Sequence, residues 1–118
     1  MRRAVLAYCA CLRFPRVLAY GLVLAFAIEL ITVALRYGLR LQSTRDTGFF
    51  AYFTCGLRVH HGYIGLFLLL LGWCFPRGYR NLLWIVGIGL FVSDLVHHFL
   101  VLWPIEGSPQ FDLVYPTR

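Results

Sequence analysis

The 118-residue chain has few charged residues and no lysine. Only 14% of its residues are charged, whereas soluble domains average about 25%, and all eleven basic residues are arginine. Hydrophobic residues make up 60% of the chain. A soluble domain of this length has too much surface to bury so many of them. The composition therefore argues against an ordinary soluble domain and predicts a single membrane domain over residues 1–118.

The sequence also argues against two other classes, disulfide-rich proteins and nucleic-acid-binding proteins. Its four cysteines do not form a disulfide framework, because Cys9 and Cys11 are close together while Cys55 and Cys74 are isolated. The formal net charge of +6 does not indicate nucleic-acid binding, because the arginines flank apolar runs instead of forming one patch. Arginines in that position are typical of anchors at the membrane edge.

Three apolar runs are long enough to cross a lipid bilayer as helices, which takes about 20 mostly apolar residues. They cover residues 17–37, 48–75 and 82–103. Residues 1–14 carry apolar side chains between basic ends, which predicts a short helix on the membrane interface. The stretch 76–81 is expected to be a tight connection, and Pro104 is expected to end the third helix. The sequence thus predicts an all-α integral membrane bundle of three transmembrane helices with an amino-terminal interfacial helix.

The arginines also predict an orientation, because they are more frequent on the cytoplasmic side of membrane spans. With three spans, the amino-terminal segment and the 76–81 connection lie on the same side of the membrane. That side carries Arg2, Arg3, Arg13, Arg16, Arg77 and Arg80. The opposite side carries Arg36, Arg40, Arg45 and Arg118. We therefore expect a cytoplasmic amino terminus and an external tail over residues 104–118.

Ionisable residues interrupt all three predicted helices, where each is costly and marks a candidate functional site. They are Glu29, Arg58, His60, His61, Asp94, His97 and His98, and they include every histidine of the chain. Counting from the connection near residue 78 places His61 and Asp94 at nearly one depth, because a helix rises about 1.5 Å per residue. Glu29 falls near the same layer, in the external half of the bilayer. Small residues would let these helices approach closely: Gly65, Gly72, Gly87 and Gly89.

Histidine and carboxylate at this density predict a transition-metal site, without distinguishing iron, zinc or copper. The candidate metal ligands are Glu29, His60, His61, Asp94, His97 and His98, with Arg58 and Tyr63 as supporting residues. Asp94 and His97 form the acid-x-x-histidine pair found in metal-binding bundle cores, and Glu29 and His61 would complete the ligand shell. Adjacent residues on a helix point about 100° apart. One histidine of each pair is therefore expected to be a ligand and the other to support it.

Three other interpretations remain open. A haem or a chlorophyll-type pigment could be held by His61 and His97, since haem is commonly held by histidine. A metal-free polar network could instead relay protons through the histidines, with Arg58 neutralising Asp94 or Glu29. The chain could also be a small accessory subunit of a larger membrane complex, or form a homo-oligomer. Where a metal has an open position, an oxidoreductase or hydrolase component is the expected activity.

The segment Asp94-Leu95-Val96-His97-His98 resembles the His-x-x-His-His box of membrane desaturases and hydroxylases, with aspartate in place of the first histidine. The resemblance covers these five residues. It implies that a histidine pair beside an acidic residue can hold iron at a membrane.

Overall fold

The computed structural model describes residues 1–41 and 49–114, which are helical apart from turns, short extended segments and one isolated antiparallel bridge. The α-helices are α1 (Arg2–Cys11), α2 (Phe14–Val33), α3 (Phe50–Phe53), α4 (His61–Gly72), α5 (Arg77–Leu95) and α6 (Trp103–Glu106). π-Helical segments extend α2 over Ala34–Gly38 and join α5 to α6 over Val96–Leu102. The predicted all-α fold is confirmed for these residues. Arg45 and Arg118 lie outside them.

Two continuous helical stretches are long and apolar enough to cross a membrane. Phe14–Gly38 has 25 residues and Arg77–Glu106 has 30. At about 1.5 Å per residue, each exceeds the roughly 30 Å thickness of a bilayer's hydrocarbon core. Large apolar side chains on the first stretch point away from the protein, among them Val23 and Phe26, which are each 66% exposed.

The prediction of one helix over residues 48–75 is wrong in the described part of that range. After α3, the chain turns at Cys55 and Gly56, whose φ angles of 53° and 84° are positive. It then runs extended until α4 begins at His61. With 12 residues, α4 is about 18 Å long, which is too short to span a bilayer by itself.

The helix is interrupted here because the backbone pairs with the carboxyl-terminal segment instead. The Arg58 amide donates to Leu113 O at 2.9 Å, and Leu57 and Val114 form the antiparallel bridge. These long-range bonds satisfy polar groups that a helix would have satisfied locally. The apolar pattern alone could not predict this pairing, because it depends on a segment more than 50 residues away.

The third predicted helix also begins and ends at different residues than expected. Helix α5 starts at Arg77, directly after Pro76, so most of the predicted 76–81 connection is helical. The helical stretch continues past Pro104 to Glu106. Proline is tolerated there because it lies in the first turn of α6, after a π-helical segment whose wider turn interrupts the regular bonding. Gly107, with φ of 73°, ends the helix in the left-handed conformation.

Helices α2 and α5 run parallel, as contacts at their two ends demonstrate. At one end, Arg77 Nη2 donates to Leu12 O, just before α2, at 3.2 Å. At the other end, Arg36 Nη2 lies 2.8 Å from Glu106 Oε1. Helix α1 packs beside the amino-terminal end of α5, where Asn81 Nδ2 donates to Cys9 O at 2.8 Å. Both long helices therefore begin at one end of the bundle and finish at the other.

Helix α4 packs antiparallel to α5 through facing glycines. A Cβ on Gly65 would lie 2.7 Å from Gly87 O, and one on Gly87 would lie 2.8 Å from Gly65 O. The expected close approach of these two helices is thus confirmed. Gly89 instead faces α2, where a Cβ would meet Leu24. Small residues on α5 therefore allow both α4 and α2 to pack closely against it.

Candidate metal centre

The polar residues of the predicted layer meet where α4 begins and α5 passes into its π-helical segment. Asp94 Oδ1 lies 3.2 Å from His61 Nδ1, and Glu29 Oε1 lies 3.0 Å from His97 Nδ1. His60 and His98 are within 3.9 Å and 3.6 Å of Asp94 Oδ1. The predicted convergence of histidines and acids from three helical regions is confirmed. The role of each residue as a metal ligand stays a prediction.

Three of these residues form a compact group that could hold a metal ion. His60 Nδ1, His98 Nε2 and Asp94 Oδ1 are ligand atoms of three buried residues, and the group's ligand atoms lie within 4.8 Å of one another. Glu29 and His97 form a neighbouring pair. The compact group therefore contains His60 and His98, whereas the ligand shell expected from the sequence used His61 and His97. We call His60, Asp94 and His98 the triad.

The choice within each histidine pair follows from the local backbone. His60 precedes α4 in an extended conformation (φ −81°, ψ 141°), which turns its side chain towards α5. His98 lies in the π-helical segment, where one turn takes more residues than in an α-helix. The fourth residue after Asp94 is therefore better aligned with it than regular helical spacing predicts. His97 is turned instead towards α2 and Glu29.

The spacing of the triad is close to that of ligands around one ion. His60 Nδ1 and His98 Nε2 are 3.1 Å apart, and Asp94 Oδ1 is 3.6 Å from His98 Nε2 and 3.9 Å from His60 Nδ1. Ligand atoms on a tetrahedral zinc ion lie about 3.3 Å apart. Each separation is thus within about 0.6 Å of the value for coordinated atoms.

The carboxyl-terminal tail, residues 107–114, determines which nitrogen of each triad histidine carries the proton. His60 Nε2 lies 3.1 Å from Asp112 O, and His98 Nδ1 lies 2.7 Å from Pro109 O. A carbonyl oxygen can only accept, so these two nitrogens donate. In a neutral imidazole the other nitrogen is then an unprotonated acceptor. His60 Nδ1 and His98 Nε2 therefore face each other with lone pairs.

The third atom of the triad adds a further acceptor. Asp94 is 2% exposed, and its Oδ1 has no hydrogen-bond partner among the described residues. A buried carboxylate is strongly unfavourable unless a positive or donating group compensates it. Three acceptors that meet in this way could be compensated by a cation between them, either a proton on one histidine or a metal ion.

Aromatic and ionic contacts hold the tail over the triad. The Phe111 ring stacks on His60 at 4.3 Å between centroids, and Tyr63 packs edge-on against His60 at 5.3 Å. Arg58 Nη1 lies 3.8 Å from Asp112 Oδ2. The two supporting residues of the sequence prediction therefore lie beside the triad and the tail, and Arg36 pairs with Glu106 where the tail begins.

The contribution of the tail is the part of the site that the sequence did not reveal. That residues 104–118 form an external tail stays a prediction, and the structure adds that residues 107–114 fold back onto His60, α4 and the π-helical segment after α5. Gly107 followed by Pro109 is a chain-reversal signal that could have suggested this. The atoms that orient the histidines are backbone carbonyls, which no residue type specifies.

No family model matches the chain, and neither the curated proteins nor the solved structures include one found to be similar to it. Within the segment that resembles the desaturase box, Asp94 and His98 belong to the triad, whereas His97 bonds to Glu29. The haem alternative has no support in the described residues, since His61 and His97 bond to Ser93 and Glu29. The candidate site rests on its own geometry.

Proposed function

We propose that this chain is an integral membrane protein that holds a divalent transition-metal ion between His60, Asp94 and His98. One observation carries the proposal. Two imidazole nitrogens and a carboxylate oxygen of buried residues face one another, and the carboxylate oxygen has no hydrogen-bond partner among the described residues. Two histidines and one carboxylate are a ligand set suited to iron(II) or zinc.

Three protein ligands leave at least one coordination position open for a substrate or water. A metal ion in such a site polarises a bound carbonyl or phosphoryl group, or lowers the pKa of a bound water. Backbone carbonyls behind two ligating histidines fix their orientation, as second-sphere groups do in characterised metal sites. An oxidoreductase or hydrolase component is the activity class that fits this arrangement.

The membrane part of the proposal rests on the direction of the helices. Because α2 and α5 run parallel, the chain between them must return to the end at which α2 began. We propose that α4 and the extended residues before it make this return crossing. Non-helical backbone is tolerated at membrane depth where the protein itself satisfies it, as the bond from Arg58 N to Leu113 O does. The arginine-rich end that carries α1 would face the cytoplasm.

Metal analysis of adjacent histidine variants tests the metal site. The full chain, purified in detergent, is expected to bind close to one equivalent of iron(II) or zinc by elemental analysis. His98→Gln is expected to lose that metal, because it removes a triad nitrogen. His97→Gln is the matched control and is expected to retain it, because His97 Nδ1 is bonded to Glu29 Oε1 at 3.0 Å.

Two results would contradict the metal site. Wild-type protein that takes up no metal after incubation with iron(II) or zinc would favour the alternative cation, a proton shared by His60 and His98. Nitrogen-15 chemical shifts of the imidazoles would then identify a protonated ring. Equal metal loss in the two variants would place the ligands elsewhere in the layer.

Phe111→Ala is expected to weaken metal affinity by about tenfold, in the range seen when groups that orient metal ligands are removed. The substitution removes the ring stacked on His60 and loosens the tail whose carbonyls orient both histidines. A competition titration with a chelating dye measures the effect. Leu113→Ala is the control, because that side chain is 63% exposed. Equal affinity in both variants would mean that the tail does not orient the ligands.

A further inference from the structure

His61 differs from the triad in being accessible. Its side chain is 33% exposed, whereas those of His60, His98 and Asp94 are 4%, 7% and 2% exposed. It nevertheless lies next to the triad, with Nδ1 3.2 Å from Asp94 Oδ1. His61 is thus the one imidazole that reaches both the protein surface and the buried carboxylate.

The protonation of His61 follows from its contact with Ser93. The Ser93 hydroxyl donates to Leu90 O at 3.2 Å, which uses the only hydroxyl proton. With that orientation of the hydroxyl, Ser93 Oγ accepts from His61 Nε2, 3.1 Å away. The neutral imidazole then has its lone pair on Nδ1, facing Asp94 Oδ1. This tautomer agrees with the lack of a hydrogen-bond partner for Asp94 Oδ1 among the described residues, and it makes the two facing atoms a second pair of acceptors.

We propose that His61 is the entry ligand of the metal site, an inference that rests on the proposed function. His61 Nδ1 and Asp94 Oδ1 form an outer position for the incoming ion, because their 3.2 Å separation is close to the about 3.3 Å between ligand atoms on a tetrahedral ion. The ion then exchanges His61 for His60 and His98. Asp94 Oδ1 remains bound throughout, so the ion is never without a protein carboxylate as it sheds water.

The packing of Asp94 leaves its carboxylate little freedom to move. A Cβ on Gly62 would lie 2.5 Å from Asp94 Oδ2 and 2.9 Å from Asp94 Cβ. The side chain is thus confined between α4 and α5, with Oδ1 directed at the imidazoles. Asp94 Oδ1 lies 3.2 Å from His61 on the accessible side and 3.6–3.9 Å from His98 and His60 in the triad. It can therefore serve as the shared ligand of the outer position and the triad position.

Loading kinetics of the full-length protein test this proposal. Cobalt(II) is mixed with metal-free protein in detergent, and the visible absorption of the bound ion is followed in a stopped-flow instrument. His61→Gln is expected to slow loading by about tenfold, while the equilibrium affinity changes by much less than the 10–100-fold typical of a disturbed metal site. His61→Cys, which restores a metal ligand, is expected to recover fast loading. Ile64→Val, a neighbouring change on α4 at a position that is 48% exposed, is the control.

Two outcomes would overturn the entry role and leave the proposed function standing. Unchanged or faster loading in His61→Gln would show that His61 only covers the site. Loss of equilibrium affinity as large as in His98→Gln would make His61 a permanent ligand. Absence of cobalt, iron and zinc binding by the wild-type protein would overturn the proposed function itself, and the entry role with it.

Discussion

Asp94→Asn is expected to abolish high-affinity metal binding and to leave the protein folded. The change removes the only carboxylate of the triad while keeping the side-chain shape in a confined site. Loss of a direct ligand should lower affinity by more than about 100-fold, beyond the range for groups that act only through a ligand. Titration of the purified protein with zinc and iron(II) measures the loss.

The same substitution is also expected to stabilise the metal-free protein, which a change that only disrupted the fold would not do. In the metal-free protein, Asp94 is a buried carboxylate whose Oδ1 has no hydrogen-bond partner within residues 1–41 and 49–114. Asparagine removes the charge and can present an N–H to the lone pairs of His60 and His98. A satisfied polar group is more stable than an unpaired one by about 1–3 kcal/mol. The metal-free variant is therefore expected to melt at a higher temperature than the metal-free wild type.

A control in the same layer distinguishes the triad from its surroundings. Glu29→Gln also neutralises a partly buried acid, but Glu29 bonds to His97, outside the triad. It is expected to keep metal affinity within about tenfold of wild type, as for an outer group. If Asp94→Asn retained the affinity and Glu29→Gln lost it, the ion would lie between Glu29 and His97 instead.

The level of His61 relative to Asp94 was predictable from the sequence because helical rise is regular. Counting residues on both sides of the connection near residue 78 placed His61 opposite Asp94, and their facing atoms are 3.2 Å apart. The predicted pairing of these two residues was right even though the connection is shorter and α4 begins later than expected. Neither error changes the register of His61 against α5, which the contacts of Gly62 and Gly65 fix.

The identity of the triad was not predictable, because it depends on departures from regular helix. A helical residue 60 and a purely α-helical residue 98 would point differently from those observed. Extended backbone before α4 and π-helical backbone after Asp94 turn His60 and His98 towards each other. Both departures involve contacts with the tail, which lies distant in sequence from His60 and shows no apolar periodicity that would predict docking.

The tail contributes to both the metal site and the proposed return crossing. The same residues that orient His60 and His98 provide the backbone pairing for the extended segment before α4. That pairing is what would make the return crossing possible within a bilayer. A metal site with this ligand geometry and a return crossing with this backbone are thus expected to form together.

Phe26→Arg is expected to reduce membrane integration sharply, which tests the lipid environment independently of the metal. Phe26 lies near the middle of the Phe14–Gly38 stretch and is 66% exposed. At the centre of a spanning helix, replacing phenylalanine with arginine costs about 3 kcal/mol of insertion free energy, about a hundredfold shift in the equilibrium. On a surface exposed to water, the same change is usually within about 0.5 kcal/mol of neutral. The measurement is the fraction of protein that stays in membranes after alkaline extraction.

The control is Leu39→Arg, at an equally exposed position beyond the end of the stretch (67%). This variant should integrate normally, because an arginine there reaches the interface. Equal integration of both variants, with unchanged thermal stability, would mean that Phe26 does not face lipid.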